Sequence, residues 1–255
     1  MANIKLITRG DDAGSSVTAN RAIREACVEG ILRNVSVMVA CDHLADAADR
    51  LVGLDGVCFG LHATFNAEWS QVRWGALRGD VPSLVQADGT FFQSVNELRD
   101  HQPRLNEAMA ELQAQLDKGR EAGFTFGYAD QHMGFGRAIE GFDDAFDVWC
   151  SKEGLLNYRH YHRRLPAVAN GEGDPVERVI AQLRAVGEGQ WAIVGHPAYD
   201  TQEMRQTGNA NILGEDIAKD RDWQRRWFTD ARILDYCKQN EVLPIRYDEA
   251  DRIDT

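Results

Sequence analysis

The sequence predicts an α/β protein: a distorted (β/α), TIM-like barrel of about seven parallel strands, forming a single domain over residues 1–255. An open doubly wound sheet is the alternative. Three observations lead there. Short apolar runs alternate with segments of helical period from end to end. No internal repeat, low-complexity tract or linker divides the chain, which is long enough to bury a large core without staples. Acids and histidines stand where several of the strands end, and that is the end at which a barrel gathers its loops.

In order, Ile4 to Thr8 reads as a buried strand that stops at Gly10. Asp11 and Asp12 follow, then Gly14 and two serines able to cap a helix near Val17 to Glu29, whose Ala22, Ile23, Ala26 and Cys27 share one face. Asn34 to Val39 is rich in β-branched residues and predicts a strand. Asp42 then caps a short helix with Leu44, Ala47, Ala48 and Leu51 on one side. Gly56 to His62 is a third strand. Residues 66–97 break the rhythm with Trp69, Trp74, Pro82 and the Asp88-Gly89 turn; a loop this long is usually functional and predicts an excursion over the active-site face.

Pro103 opens a long helix striped by Leu105, Met109, Leu112 and Leu116. Phe124 to His132 is a fourth strand, and a helix near Gly141 to Ser151 precedes a strand over Leu155 to Tyr158. Asp174-Pro175 starts the next helix, and Trp191 to His196 forms a sixth strand. A polar loop, Asp200 to Glu215, leads to a helix near Asp220 to Asn240, and Val242 to Ile245 is the last strand.

Composition narrows the partners. Twenty-eight basic against forty acidic residues give a net charge of −12, and acids interrupt the most basic helix, around Arg221, Arg225, Arg226 and Arg232. That argues against a nucleic-acid partner. The five cysteines are scattered with no CxxC pair, which predicts buried reduced thiols and a cytoplasmic setting. No signal-peptide core and no run of about 18 apolar residues appears, so no membrane partner is expected. The composition is compatible with a homodimer.

Adjacent carboxylates repel, and a divalent cation is the usual remedy. Asp-rich turns beside glycine are also common, so Asp11 and Asp12 alone leave both readings open. His62, His132 and His196 strengthen the first, because all three end strands that converge on one mouth. Two imidazoles and a carboxylate make a familiar open site for Zn²⁺ or a related ion. His160 and His162 have HxH spacing, but in a basic stretch with Arg159, Arg163 and Arg164 they suit a solvated loop or an anion contact better.

These motifs carry a resemblance. Thr8-Arg9-Gly10-Asp11-Asp12-Ala13-Gly14 resembles the T-A-D-D-F-G opening of the YdjC-like carbohydrate deacetylases, which include chitooligosaccharide deacetylases. Gly60-Leu61-His62-Ala63-Thr64 is similar to their G-L-H-L-T, and Val81 to Val85 with Asp88 to Phe91 to their S-L-V-D-x-x-G-x-F. Asp130-Gln131-His132 resembles the start of D-S-H-x-H-x-H, and His196-Pro197-Ala198-Tyr199 their H-P-G-Y. The matches run in order along nearly the whole chain.

The resemblance implies that Asp12, His62 and His132 bind one divalent ion, Zn or Mg. It makes Asp11 the general base toward metal-activated water and His196 the acid or electrostatic partner. It implies removal of an N-acetyl group from a small-molecule acetylated sugar. Tyr199, Trp69, Trp74 and Arg159 are candidates for holding that substrate, although tryptophans in a long loop can equally serve to pack it. The chain departs from the pattern where the aromatic of A-D-D-F-G becomes Ala13, and where Gly134 and Gly136 replace the later histidines. Those departures leave two rivals: a hydrolase of another acyl or phosphate ester, and a carbohydrate-binding barrel with impaired catalysis.

Overall fold

A ten-residue strand, β1 (Ile4–Ala13), is the axis of the sheet, and all but Lys5 of its residues are buried. The computed structural model describes residues 3–161, 163–167 and 173–253, so His162 of the HxH pair lies outside the described residues. After β1 come α1 (Val17–Val28), β2 (Asn34–Val37), α2 (Leu44–Leu51), β3 (Cys58–Ala63), α3 (Val95–Asp100), α4 (Leu105–Glu121) and β4 (Phe126–Gln131). Then follow α5 (Phe142–Glu153), β5 (Leu156–Asn157), α6 (Pro175–Arg184), β6 (Gly189–Gly195), α7 (Gly214–Thr229), α8 (Ala231–Gln239) and β7 (Val242–Ile245).

The strand order is β5-β4-β3-β2-β1-β6, with every pairing between these strands parallel. β7 pairs with Ile4 to Ile7 of β1, and β2 takes over the same edge from Arg9 onward. Asn34 stitches that junction: its amide donates to the carbonyls of Thr8 and Ile245, and its oxygen accepts from the Tyr247 backbone. Beyond β6, Arg163 and Leu165 bond to Ala192, which narrows the gap toward β5. The result is a curled, seven-stranded α/β half-barrel, a distorted TIM-like fold as the alternating pattern predicts.

The two faces of the sheet bury different things. Outside, Leu6, Leu32, Val35 and Leu61 pack under the helices with Ile23 and Leu112. Inside, Ile7, Tyr128, Ala192, Ile245 and Tyr247 fill the lower barrel. Alternation along β1 then places Arg9 and Asp11 above Ile7 on the inner face, so the lumen turns from apolar to charged toward the strands' C-terminal ends.

Three boundaries differ from expectation. β1 runs through Asp11 and Asp12 to Ala13, so the acids lie on the strand and not in a loop. The expected helix from Asp220 to Asn240 is two helices, because Asp230 is extended (φ −65°, ψ 134°) and its side chain caps Arg232. The first of the two already starts at Gly214, inside the expected polar loop. The excursion after β3 buries Trp74, Val81, Leu84 and Phe91 and ends in α3, whose Ser94 and Glu97 form a capping box. The five cysteines are unpaired, and all but Cys27 are buried. Among the described residues no helix is long and apolar enough to cross a membrane.

Candidate metal centre

The geometry of the site begins with a fault in β1. Gly10 pairs with Val35 and Ala13 with Val37, so three steps along β1 face two along β2. Asp12, at φ 70°, occupies the left-handed region that Asp tolerates better than most residues. Its carbonyl accepts from both the backbone N–H and the hydroxyl of Ser15, which fixes the turn. Regular alternation would send neighbouring side chains to opposite faces; the bulge lets both carboxylates line one cavity.

Asp12 Oδ1, His62 Nε2 and His132 Nδ1 form a small triangle. Its sides are 3.5 Å from Asp12 to His62, 3.7 Å from Asp12 to His132 and 3.2 Å between the histidines. A tetrahedral ion with ligands at about 2.0–2.1 Å would hold them about 3.3–3.4 Å apart, so the three atoms suit a divalent ion. Asp12 Oδ1 is buried and accepts no hydrogen bond among the described residues. An orphaned carboxylate oxygen aimed between two imidazoles is costly unless a cation or proton meets it. The buried Asp/His cluster is therefore able to hold a metal.

Each histidine is oriented from behind by a carboxylate, as metal-binding imidazoles usually are. His62 Nδ1 lies 3.1 Å from Asp130 Oδ1, and His132 Nε2 lies 2.9 Å from Glu68 Oε2. Those bonds leave Nε2 of His62 and Nδ1 of His132 facing the triangle. Burial alone would lower the His62 pKa, but Asp130, Asp11 and Asp12 push it up to about 10. The same charges favour a cation. Burial also opposes ionisation of Asp12, yet Arg221 and the two histidines hold it well below the usual carboxylate range. Arg221 Nη1, from α7, donates to Asp12 Oδ2 at 2.7 Å.

Asp11 stands beside the triangle in a second group with His62 and Asp130, one atom of each lying within 4.8 Å of the others. Arg9 grips it with two hydrogen bonds, Nε to Oδ1 at 2.7 Å and Nη2 to Oδ2 at 2.8 Å. The remaining Arg9 nitrogen reaches Asp130 Oδ2 at 3.0 Å, and burial, which would discharge it, is outweighed by these two acids. His196 follows β6 on the same cavity, its backbone N–H and Nδ1 both meeting Gln224 Oε1.

The expected substrate contacts divide. Trp69 is half-buried and lines the cavity, whereas Trp74, buried beside His132 with its indole N–H on the Asn66 carbonyl, lines a smaller cavity next to it. Tyr199 and Arg159 are not brought to the cavity. The Tyr199 hydroxyl donates to Glu25 and its ring lies between Arg21 and Arg225, while Arg159 is paired with Asp143. The cavity instead presents Arg137, Arg164 and Arg221. The two glycines in place of histidines have a local cause at one position: a Cβ on Gly136 would meet Gln131 and Asp143 oxygens at 2.6 and 2.9 Å. The triangle is complete without them.

Arg9, Glu68, Asp130, Arg221 and Gln224 escaped the sequence reading. Asp130 carried a signal, standing two residues before His132 at the end of a strand, where parity puts both on one face. Glu68 lies in the irregular excursion and carried none.

A family model described as YdjC-like protein matches residues 5–176. A protein of Thermoanaerobacter pseudethanolicus named carbohydrate deacetylase is 23% identical over 254 residues, 95% of this chain and 97% of its own. One of Brevibacillus brevis with the same name is 29% identical over 129 residues, 51% of this chain and 49% of its own. A crystal structure of an Enterococcus faecalis V583 protein, provisionally assigned to cellobiose-phosphate cleavage, superposes with a TM-score of 0.78 at 17% identity, covering 97% of this chain and 98% of that one.

Proposed function

The chain belongs to the YdjC-like family, and on that premise we propose that it is a metal-dependent hydrolase removing an N-acetyl group from an amino sugar or sugar-containing metabolite. The observation that carries this reading is the Asp12–His62–His132 triangle with an unmatched, buried Asp12 oxygen and a second acid, Asp11, held by Arg9 beside it. Two relatives named carbohydrate deacetylase support it. A pure binding barrel would use Asp11 only to neutralise the buried Arg9.

Asp12, His62 and His132 would hold the ion. A bound divalent ion lowers the pKa of water toward about 7 and polarises an amide carbonyl. Asp11 takes the proton from the attacking water; each of its oxygens keeps a lone pair beyond the one engaged by Arg9, which fixes the carboxylate's direction. His196, its Nδ1 side anchored on Gln224, has Nε2 left to protonate the departing amine or steady the developing oxyanion. Trp69 offers an apolar face for a sugar ring at the cavity wall.

The test is an acetate-release screen over acetylated amino sugars, with metal analysis of the purified protein. Release of acetate and a free amine, together with near-stoichiometric metal that disappears in His62→Ala, is expected. Metal retained at wild-type affinity in His62→Ala would show that the triangle is not the metal site.

A further inference from the structure

An N-acyl substrate must send its two halves away from the reacting carbon in different directions, and two unlike cavities meet at Asp12, Glu68, Trp69, His196 and Arg221. The wider one, about 550 Å³, is open and presents Gln131, Arg137, Arg164 and Asn209, groups suited to hydroxyls and charge. The other, about 110 Å³, is more enclosed and walled by Ala19, Met38, Val72, Trp74, Ala198 and Met204.

Four of the polar side chains at the edge of the smaller cavity are already engaged, and His43 and Gln206 stand beside them in its lining. Ser15 donates to the Asp12 carbonyl at 2.7 Å, and Ser16 accepts from the Ala19 N–H at 3.1 Å. Glu203 accepts from the N–H groups of Val17 and Thr18, and Thr207 donates to the Met204 carbonyl. A hydroxyl-rich sugar would find few unengaged partners there, whereas an apolar tail leaves nothing unpaired. Volume then sets the length of the tail. A water takes about 30 Å³ in the liquid, so this cavity of about 110 Å³ has room for roughly four, more than an acetyl methyl fills.

Resting on the hydrolase reading above, we propose that the smaller cavity is an acyl pocket that prefers a chain of about three to five carbons to acetyl. The chemistry is the same at every length. The water oxygen bonds to the acyl carbon, the C–N bond breaks, and the amine leaves with a proton.

Two measurements test it: turnover of glucosamine N-acylated with acetyl, propionyl, butyryl or hexanoyl, and calorimetric binding of acetate against butyrate to the metal-loaded protein. Each added methylene buried should raise kcat/KM roughly fourfold up to butyryl, and butyrate should bind more than about tenfold tighter than acetate. Ala19→Leu and Ala198→Leu each fill the cavity and should reverse that order with metal content unchanged. Acetyl as the fastest substrate, with acetate binding no weaker than butyrate, would overturn the proposal. No turnover of any member, with butyrate still preferred in binding, would sink the hydrolase reading and leave the pocket standing.

Discussion

Asp11 and Asp12 are adjacent, and both are buried in the same cavity, yet they keep different company. Asp12 faces two imidazoles and Arg221, while Asp11 is clasped by Arg9. Different partners imply different losses on mutation. Asp11→Asn keeps the volume and removes the base, so metal content should persist while kcat falls about 10²-fold or more, a loss of roughly 3 kcal/mol of transition-state stabilisation. Asp12→Asn should instead weaken metal binding, with activity partly restored by excess metal. Metal analysis and kinetics on both variants decide it, and equal metal loss would point to a shared acidic site. The adjacent acids and the strand-end histidines were legible because acids and imidazoles at strand ends are the residue types that could hold a metal. Glu68 and Arg221 were not, since their positions depend on how an irregular segment and a distant helix fold over the barrel mouth. The partners of Tyr199 were hidden for the same reason: its motif position says nothing of Glu25, Arg21 and Arg225, which surround it.

At the level of elements, hydrophobic period located nearly every helix and strand, because each buries one face and the burial sets the pattern. It missed the break between α7 and α8, where Asp230 acts as stop and cap within one continuous apolar stripe, and the bulge in β1, which depends on register with β2. Register also makes one glycine necessary. Gly60, on β3, sits against the ring of Tyr128, and a Cβ there would lie 2.2 Å from Tyr128 Cε2. Tyr128 cannot retreat easily: it is fully buried, its hydroxyl is 2.8 Å from Ser36 Oγ, and its ring packs on Tyr247 with centroids 4.4 Å apart. Gly60→Ala should therefore destabilise the protein by about 1–3 kcal/mol through overpacking, despite adding only a methyl group. Denaturant unfolding checks this, and a midpoint within error of wild type would mean that the ring shifts freely.

Across the whole molecule, the candidate ligands come from β1, β3 and the end of β4, so one ion would tie together strands spread over four positions of the sheet. The net charge of −12 and the buried acids Asp11, Asp12, Glu68 and Asp130 set the direction of the effect: a cation that binds only the folded chain offsets repulsion that folding creates. Ligand linkage gives its size. At a free-metal concentration about a hundredfold above Kd the stabilisation is about 2.7 kcal/mol. For a protein of this length each kcal/mol moves Tm by about 2–4 °C, so chelation should lower Tm by about 5–10 °C, and added Zn²⁺ or Mg²⁺ should restore it. His62→Ala, which opens the triangle, should show no metal-dependent shift, whereas Asp11→Asn should keep it in full. A Tm indifferent to chelator and metal in the wild type would mean that the three strand ends are joined by hydrogen bonds and ion pairs alone, and the orphaned Asp12 oxygen would then need a proton as its partner.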